Sequence, residues 1–341
     1  MHSDTNFRFD QNFFHKEAHK NYQNSTREFK KVIRNFAFFN IGFFIFLFIQ
    51  LILFAYLFSY LSSSSVLALI LGSIFLSCFS YFILLFYFQA KKNDQIISLK
   101  DRFISTCKRA ISMPENTIEH HLTLAHAASR FADSLMNFEK QIYFSFKKEF
   151  LLKITKKISY LLHKEDIYKL KEKLLISAIE EHIKQIQNSP TDLELHASIA
   201  SSYFKLSKLY LDAIENNAVS KTILKTLDQK YEFCVKSMIE EFRILNDYAP
   251  NDPWVHMQLA KSYRALNLKE KEAKENEIIL KLAPENTKIL YRLAKLYFEL
   301  GKTAKALRIY EDLKLREYKF ADSLLESYSS INLQNLLENN L

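Results

Sequence analysis

His120, His121 and His126 are the only histidines that gather locally, and grouped imidazoles suggest either a metal site or a proton relay. Two imidazoles share one face of a helix when three or four positions separate them, and none of these pairs has that spacing. Solvated or locally bonded rings are therefore expected, and no metal. His182 and His196 straddle Pro190, and His256 takes a packing place in its helix, so each is read as structural. Glu180-Glu181 and Glu240-Glu241 are neighbours in sequence. Their side chains diverge around a helix and cannot form an acid/base pair, so they read as solvated faces.

Other reaction chemistry fares no better. The three glycines, Gly42, Gly72 and Gly301, are isolated, so no glycine-rich phosphate loop exists. Cys78, Cys107 and Cys234 are odd in number and far apart, which argues for reduced, structural thiols over a disulfide framework or a zinc site. These exclusions point away from an enzyme and call for no cofactor.

What remains is architecture. With 3 glycines and 5 prolines in 341 residues the chain is too poor in turn residues for a many-stranded sheet, so an all-α fold is expected. The formal charge of +9 is spread over basic clusters at 27–34 and 91–109 and a lysine-rich C-terminal third. That distribution favours an anionic membrane surface or acidic partners over nucleic acid.

Residues 36–61, FAFFNIGFFIFLFIQLILFAYLFSYL, and 66–88, VLALILGSIFLSCFSYFILLFYF, carry no charge, and each is long enough to cross a bilayer as a helix. The Phe, Ile and Leu residues, worth about 0.3–0.6 kcal/mol each, outweigh Gln50 and Asn40. A cleaved signal peptide is a poor fit, because the first segment is too long and no small-x-small site follows it. Between the spans Ser62 to Ser65 leave room only for a tight turn, in which hydroxyls satisfy the helix ends. Arg27, Lys30, Lys31 and Arg34 precede the first span and Lys91, Lys92, Lys100 and Arg102 follow the second, so both termini are expected on the cytoplasmic side. Gln50 is expected to bond across this hairpin. Ala68, Gly72, Ser73, Ser77 and Ser80 either let the two backbones approach or are simply tolerated.

Beyond the hairpin the signal is a repeat. Ala249-Pro250, Leu259-Ala260 and Tyr263 recur 34 residues later as Ala283-Pro284, Leu293-Ala294 and Tyr297. Pro190 follows the same rule with Ile199, Ala200 and Tyr203, and Pro114 follows it loosely with Leu124-Ala125, one residue late, and Ala128. Pro253 suits the first turn of its helix. Leu135, Phe138, Ile142, Phe146, Phe150, Ile154, Ile158 and Leu161 keep helical spacing, so the long gaps between prolines are expected to hold extra helices.

Residues 282–313, with Leu290, Leu293, Ala294, Tyr297, Gly301, Ala306, Tyr310 and Leu313 in place, closely resemble a tetratricopeptide (TPR) unit. The resemblance implies an α-solenoid of helix pairs that acts as a protein-interaction scaffold. It departs from the pattern at Glu272 and Ala273, which lie one residue out of phase, and no proline closes the last repeat. Residues 36–88, with their short turn, also resemble the bilobed hydrophobic segment of chlamydial inclusion-membrane proteins. That likeness implies an exported effector in a host-vacuole membrane, against the alternative of a bacterial inner-membrane anchor or a membrane-complex subunit whose hairpin is the working part.

The expected organisation is a polar segment 1–35, a transmembrane hairpin 36–88, an amphipathic connector 89–113, degenerate TPR-like helices 114–249, two TPR units 250–318 and a capping helix with tail 319–341. In each unit the stripe offset from the packing positions is expected to line a partner-binding groove: Trp254, Met257, Lys261 and Arg264, then Lys288, Tyr291, Lys295 and Phe298. Cations alternating with apolar rings suit an acidic peptide carrying hydrophobic anchors, with single-stranded nucleic acid the lesser fit. The asparagines of the carboxylate clamp in chaperone-binding TPR proteins are absent, so capture of a chaperone C-terminus is not implied.

Overall fold

The computed structural model describes residues 11–61, 65–111, 114, 117–136, 138, 149–216, 218–326 and 328. Among the described residues every regular element is a helix: α1 (Gln11–Leu61), α2 (Ser65–Ala110), α3 (Ile118–Ser134), α4 (Glu149–Asn188), α5 (Leu193–Glu215), α6 (Lys221–Tyr248), α7 (Pro253–Ala265), α8 (Lys269–Leu282), α9 (Thr287–Glu299) and α10 (Thr303–Leu315). Their contacts divide the chain into two compact units, residues 1–181 with 213–221, and residues 182–212 with 222–341.

In the first unit α1 and α2 form a hairpin, both helices long and apolar enough to cross a membrane. Gln50 Nε2 donates to Ser77 Oγ at 3.1 Å, and Tyr81 Oη donates to Asn40 Oδ1 at 3.0 Å. Farther from the turn, Lys92 Nζ lies 4.4 Å from the Phe36 ring centroid and Arg102 pairs with Glu28. Positions that rise along one helix meet positions that fall along the other, which makes the pair antiparallel. Phe36, Asn40, Phe43, Leu47, Gln50, Phe54 and Leu57 are among the shielded positions on α1 and form a seam of three- and four-residue steps that fits knobs-into-holes packing. The opposite faces present bare hydrocarbon: Phe48 is 64% exposed, Leu69 75% and Phe75 69%.

The small residues of the second span divide between the two readings. Ala68 and Gly72 point outward, and no atom lies within 4 Å of where a Gly72 Cβ would stand, so they do not bring the backbones together. Ser77 does face the partner span, while Ser73 Oγ donates to the Ile70 carbonyl at 2.8 Å. Residues 16–35 and 89–110 are continuations of the two apolar helices, because the packing seam does not stop where the charges begin. Phe29, Ile33, Ile96, Leu99, Phe103 and Cys107 are all buried there. The serine turn falls partly outside the described residues, as do Ile142 and Phe146.

Helix α3 fits against this stalk through Phe131, fully buried with its ring 4.7 Å from Phe103 and 6.4 Å from Tyr22. Ala125 and Ala128 pack with Ala178 of α4, small residues that let helices close to short range. Asp166 on α4 receives Lys92 Nζ at 2.7 Å. Burial works against the Asp166 carboxylate, but His163 and Lys92 outweigh it and hold its pKa below the usual value.

The second unit contains the repeats. Pro253 starts α7, where a missing N–H costs nothing, and Asp252 caps it by accepting from Trp254 N at 2.8 Å. The α7/α8 and α9/α10 hairpins turn at Asn267 and Gly301, corresponding positions that both adopt positive φ, 55° and 70°. Leu259, Ala260, Tyr263, Leu293, Ala294 and Tyr297 are all buried, as the 34-residue period requires. Each fully buried leucine contributes about 1.5–3 kcal/mol. Helix α8 packs on α9, which joins the two hairpins.

Candidate partner-binding groove

The second unit holds a groove of about 470 Å³ between α5, α6 and α7, within the size range of ligand sites. Its floor comes from Ala200, Val235, Met238 and Phe242, which also belong to the apolar core of this unit. Its walls come from residues whose large apolar side chains remain open to solvent: Phe204 (55% exposed), Leu211 and Trp254 (47%). Trp254 meets Phe242 edge to face at 5.8 Å, so the indole is braced on one side and free on the other. Lys208 and Lys261 stand at the rim, and among the described residues neither makes an ion pair. Tyr231 also lines the groove, and burial raises its pKa, so its hydroxyl keeps its proton. The surface is therefore an apolar trough with free cations at its edge.

Of the eight side chains expected to line one groove, the structure brings only Trp254 and Lys261 to this one. Met257 is half-buried beside them but outside the lining. Arg264 turns away to Glu272, its Nε donating at 2.6 Å. Lys288 is exposed and Lys295 half-buried on α9, away from the trough. Tyr291 shares a 2.9 Å hydroxyl hydrogen bond with Ser323. Phe298 is 3% exposed with its ring 4.8 Å from Tyr328, so it is a core residue. Tyr291 and Phe298 are removed for one reason: the chain after α10 folds back over α9, burying Ala321 and Leu324. Residues 323–326 and 328 of this segment are helical. The lining residues missed in sequence, Phe204, Lys208 and Leu211, lie 14 to 21 positions after Pro190; their signal is two apolar residues and a lysine on one face of α5.

The polar framework around the groove repeats. His196 Nδ1 lies 2.6 Å from Glu241 Oε2 and its Nε2 lies 2.9 Å from the Pro190 carbonyl. His256 makes the same pair of contacts, 2.7 Å to Glu275 Oε2 and 2.9 Å to the Pro250 carbonyl. In the first unit His121 Nδ1 reaches Glu181 at 2.6 Å. The sequence separations are 60, 45 and 19, so one clamp joins the two helices of a pair even as the chain between them shortens. The corresponding residues of the last pair are Leu290 and Ile309, which meet in the apolar cluster, while Arg316 Nη1 takes the Pro284 carbonyl at 3.1 Å. Glu181 and Glu241 are accordingly not solvated faces, although Glu180 and Glu240 are exposed. The reading of His196 and His256 as structural agrees with these contacts.

The α7/α8 and α9/α10 helix pairs repeat at 34 residues and are tetratricopeptide-like in fold. No protein-family profile matches the chain, and no curated protein sequence is similar to it. Solved structures that align with it include MamA of MSR-1, at 14% identity over 61% of this chain and 98% of that one, with a TM-score of 0.30. A thermophilic TPR protein of Thermus thermophilus aligns at 14% identity over 71% and 99%, with a TM-score of 0.30. A monomeric IFIT1 mutant with Gppp-AAAA aligns at 14% over 74% of this chain and 64% of that one, with a TM-score of 0.34. Overall superposition is loose in every case.

Proposed function

We propose that this chain is a membrane-anchored, non-catalytic scaffold. Residues 36–88 hold it in a bilayer with both termini on the cytoplasmic side, and the α5/α6/α7 groove recruits a protein partner through an acidic segment with hydrophobic anchors. The observation that carries the recruiting half is the apolar trough of Phe204, Leu211 and Trp254 rimmed by free Lys208 and Lys261. Aromatic anchors gain most of their binding energy by leaving water, and rim cations select carboxylates and speed encounter. The anchoring half is supported by the exposed hydrocarbon of α1 and α2, which water would penalise and lipid would not. Basic side chains at 27–34 and 91–109 add attraction to anionic headgroups.

The test has two arms. Carbonate-washed membranes should retain the full chain, and release of the whole population would end the anchoring half. A photo-crosslinking residue at position 204 should capture a partner segment carrying acidic and large apolar residues. Capture of only basic or featureless segments would remove the recruiting half.

A further inference from the structure

We propose that His196 and His256 are proton-controlled latches on the recruiting groove, firm when the imidazoles are charged and slack when they are neutral. This rests on the groove reading above and adds its regulation. Each ring has an acceptor at both nitrogens, a carboxylate oxygen at Nδ1 and a proline carbonyl at Nε2. Only imidazolium carries N–H on both nitrogens, so a neutral ring must turn a lone pair toward one of its acceptors. The lost bond is buried, since His196 is 3% exposed and His256 4%, and water does not replace it freely.

The latches sit where they can move the groove. Ala197 in the lining follows His196 directly, and Phe242 follows Glu241, so this pair ties the α5 wall to the α6 wall. His256 is on α7 with Trp254 and Gln258 of the lining, and ties α7 to α8 through Glu275. The charged groups facing His196 are Glu241 from α6 and Asp192 from the turn before α5, with Tyr203 beside Glu241. The charged group facing His256 is Glu275 from α8; the Asp252 carboxylate at the turn is taken by Trp254 N. Burial lowers the pKa of His196, but Glu241, the Pro190 carbonyl and Asp192 outweigh it and raise the value above the ordinary 6.5. A group whose folded pKa is raised stabilises the fold fully below its unfolded pKa and loses that contribution as pH climbs through the folded value. The His196 latch therefore loosens as pH rises through that raised value.

The chain supplies its own control and its own reporter. The last helix pair replaces the clamp by Leu290 and Ile309, so His196→Leu with Glu241→Ile, and His256→Leu with Glu275→Ile, copy a pairing this fold already uses. Trp254, the sole tryptophan, stands in the groove wall. With full-length protein in detergent, Trp254 emission and acrylamide quenching should change between about pH 6 and pH 9, and the melting temperature should fall by about 2–4 °C through the His196 latch over the same range. The swapped variant should lose both responses. Ring ¹⁵N spectra of wild type should show both nitrogens of His196 protonated near pH 6. Neutral tautomers there, or an unchanged pH response in a folded swapped variant, would overturn the proposal. If the swaps do not fold, the ring spectra still decide it. None of these readouts needs the partner, so a failure of recruitment leaves a different signature from a failure of the latches.

Discussion

Glu272 and Arg292, twenty residues apart in sequence, meet through two parallel hydrogen bonds of 2.8 Å. Glu272 occupies the place that Ala306 fills one repeat later, and both are buried to within 1%. A carboxylate stands there because Arg264 adds a third bond at 2.6 Å and bridges α7 to the same group. Burial alone would raise the carboxyl pKa, but the two guanidinium groups hold it below the ordinary value. Its stabilising contribution is thus complete above the unfolded carboxylate pKa and disappears as pH falls through the lowered folded one.

Replacing Glu272 by alanine is expected to destabilise the second unit by about 2 kcal/mol, because Arg292 loses a bidentate partner while half-buried. Glu272→Ala with Arg292→Leu should recover most of the loss, since the apolar version of this position already exists at Ala306. Urea unfolding of the wild type and the two variants near neutral pH measures this. As pH falls through the lowered folded pKa of Glu272, the wild type and single mutant should converge, and a gap that persists at still lower pH would show that the ion pair is not the source.

Cysteine chemistry offers a clean view of the hairpin. Cys107 is fully buried, and desolvation, opposed only by a bond from Asn21, pushes its pKa to about 12. Cys234 is 2% exposed. Neither should react with a water-soluble maleimide in the folded protein, because thiolate and access are both lacking. Cysteines introduced at Lys20 and Lys100 should then be labelled from one and the same side of sealed vesicles. Labelling from opposite sides would break the hairpin topology.

Much of this is legible in the sequence because it depends on local periodicity. Uninterrupted apolar runs announce the hairpin, and the 34-residue recurrence of Leu-Ala and Tyr places α7 to α10. Three features need the fold. Charged residues before Phe36 and after Phe88 conceal the continued seam, since only every third or fourth position, such as Phe29, Ile33 and Phe103, reports on it. The C-terminal segment covers Phe298 through Tyr328, a contact thirty positions away that no spacing rule anticipates. The Glu181 and Glu241 partners are hidden by the unequal lengths of their loops. A smaller signal is available: Pro-x-Asp-x-x-x-His occurs at Pro190, and the same proline-to-histidine step of six recurs at Pro250.

Gln50 is the one amide in the middle of the first apolar run, where it makes the 3.1 Å bond to Ser77. Interhelical bonds of this kind contribute about 0.6 kcal/mol on average, a small part of what the apolar packing along the same seam supplies. Gln50→Leu should therefore insert, keep its helicity and recruit the partner normally. Loss of activity in a correctly inserted Gln50→Leu protein would instead make the hairpin the working part.

The groove makes a prediction that separates cations lying close together in sequence. Lys208→Glu with Lys261→Glu reverses charge at the rim, and because both ammonium groups are unpaired and exposed the fold should tolerate it, within about 0.5 kcal/mol. Binding of the crosslinked partner segment should weaken about tenfold or more, with its salt dependence lost, because rim charges act through long-range attraction that ions screen. Lys288→Glu with Lys295→Glu alters as much charge on α9 but away from the trough, and should leave binding within about twofold. Arg264→Ala should lower stability instead, through Glu272. Trp254→Ala removes the braced indole and should also cost about tenfold or more while leaving the salt dependence in place, since the aromatic contributes by desolvation and not by charge. If the α9 pair weakens binding more than the rim pair does, the partner follows the surface of α9 and the trough between α5, α6 and α7 is not where it docks.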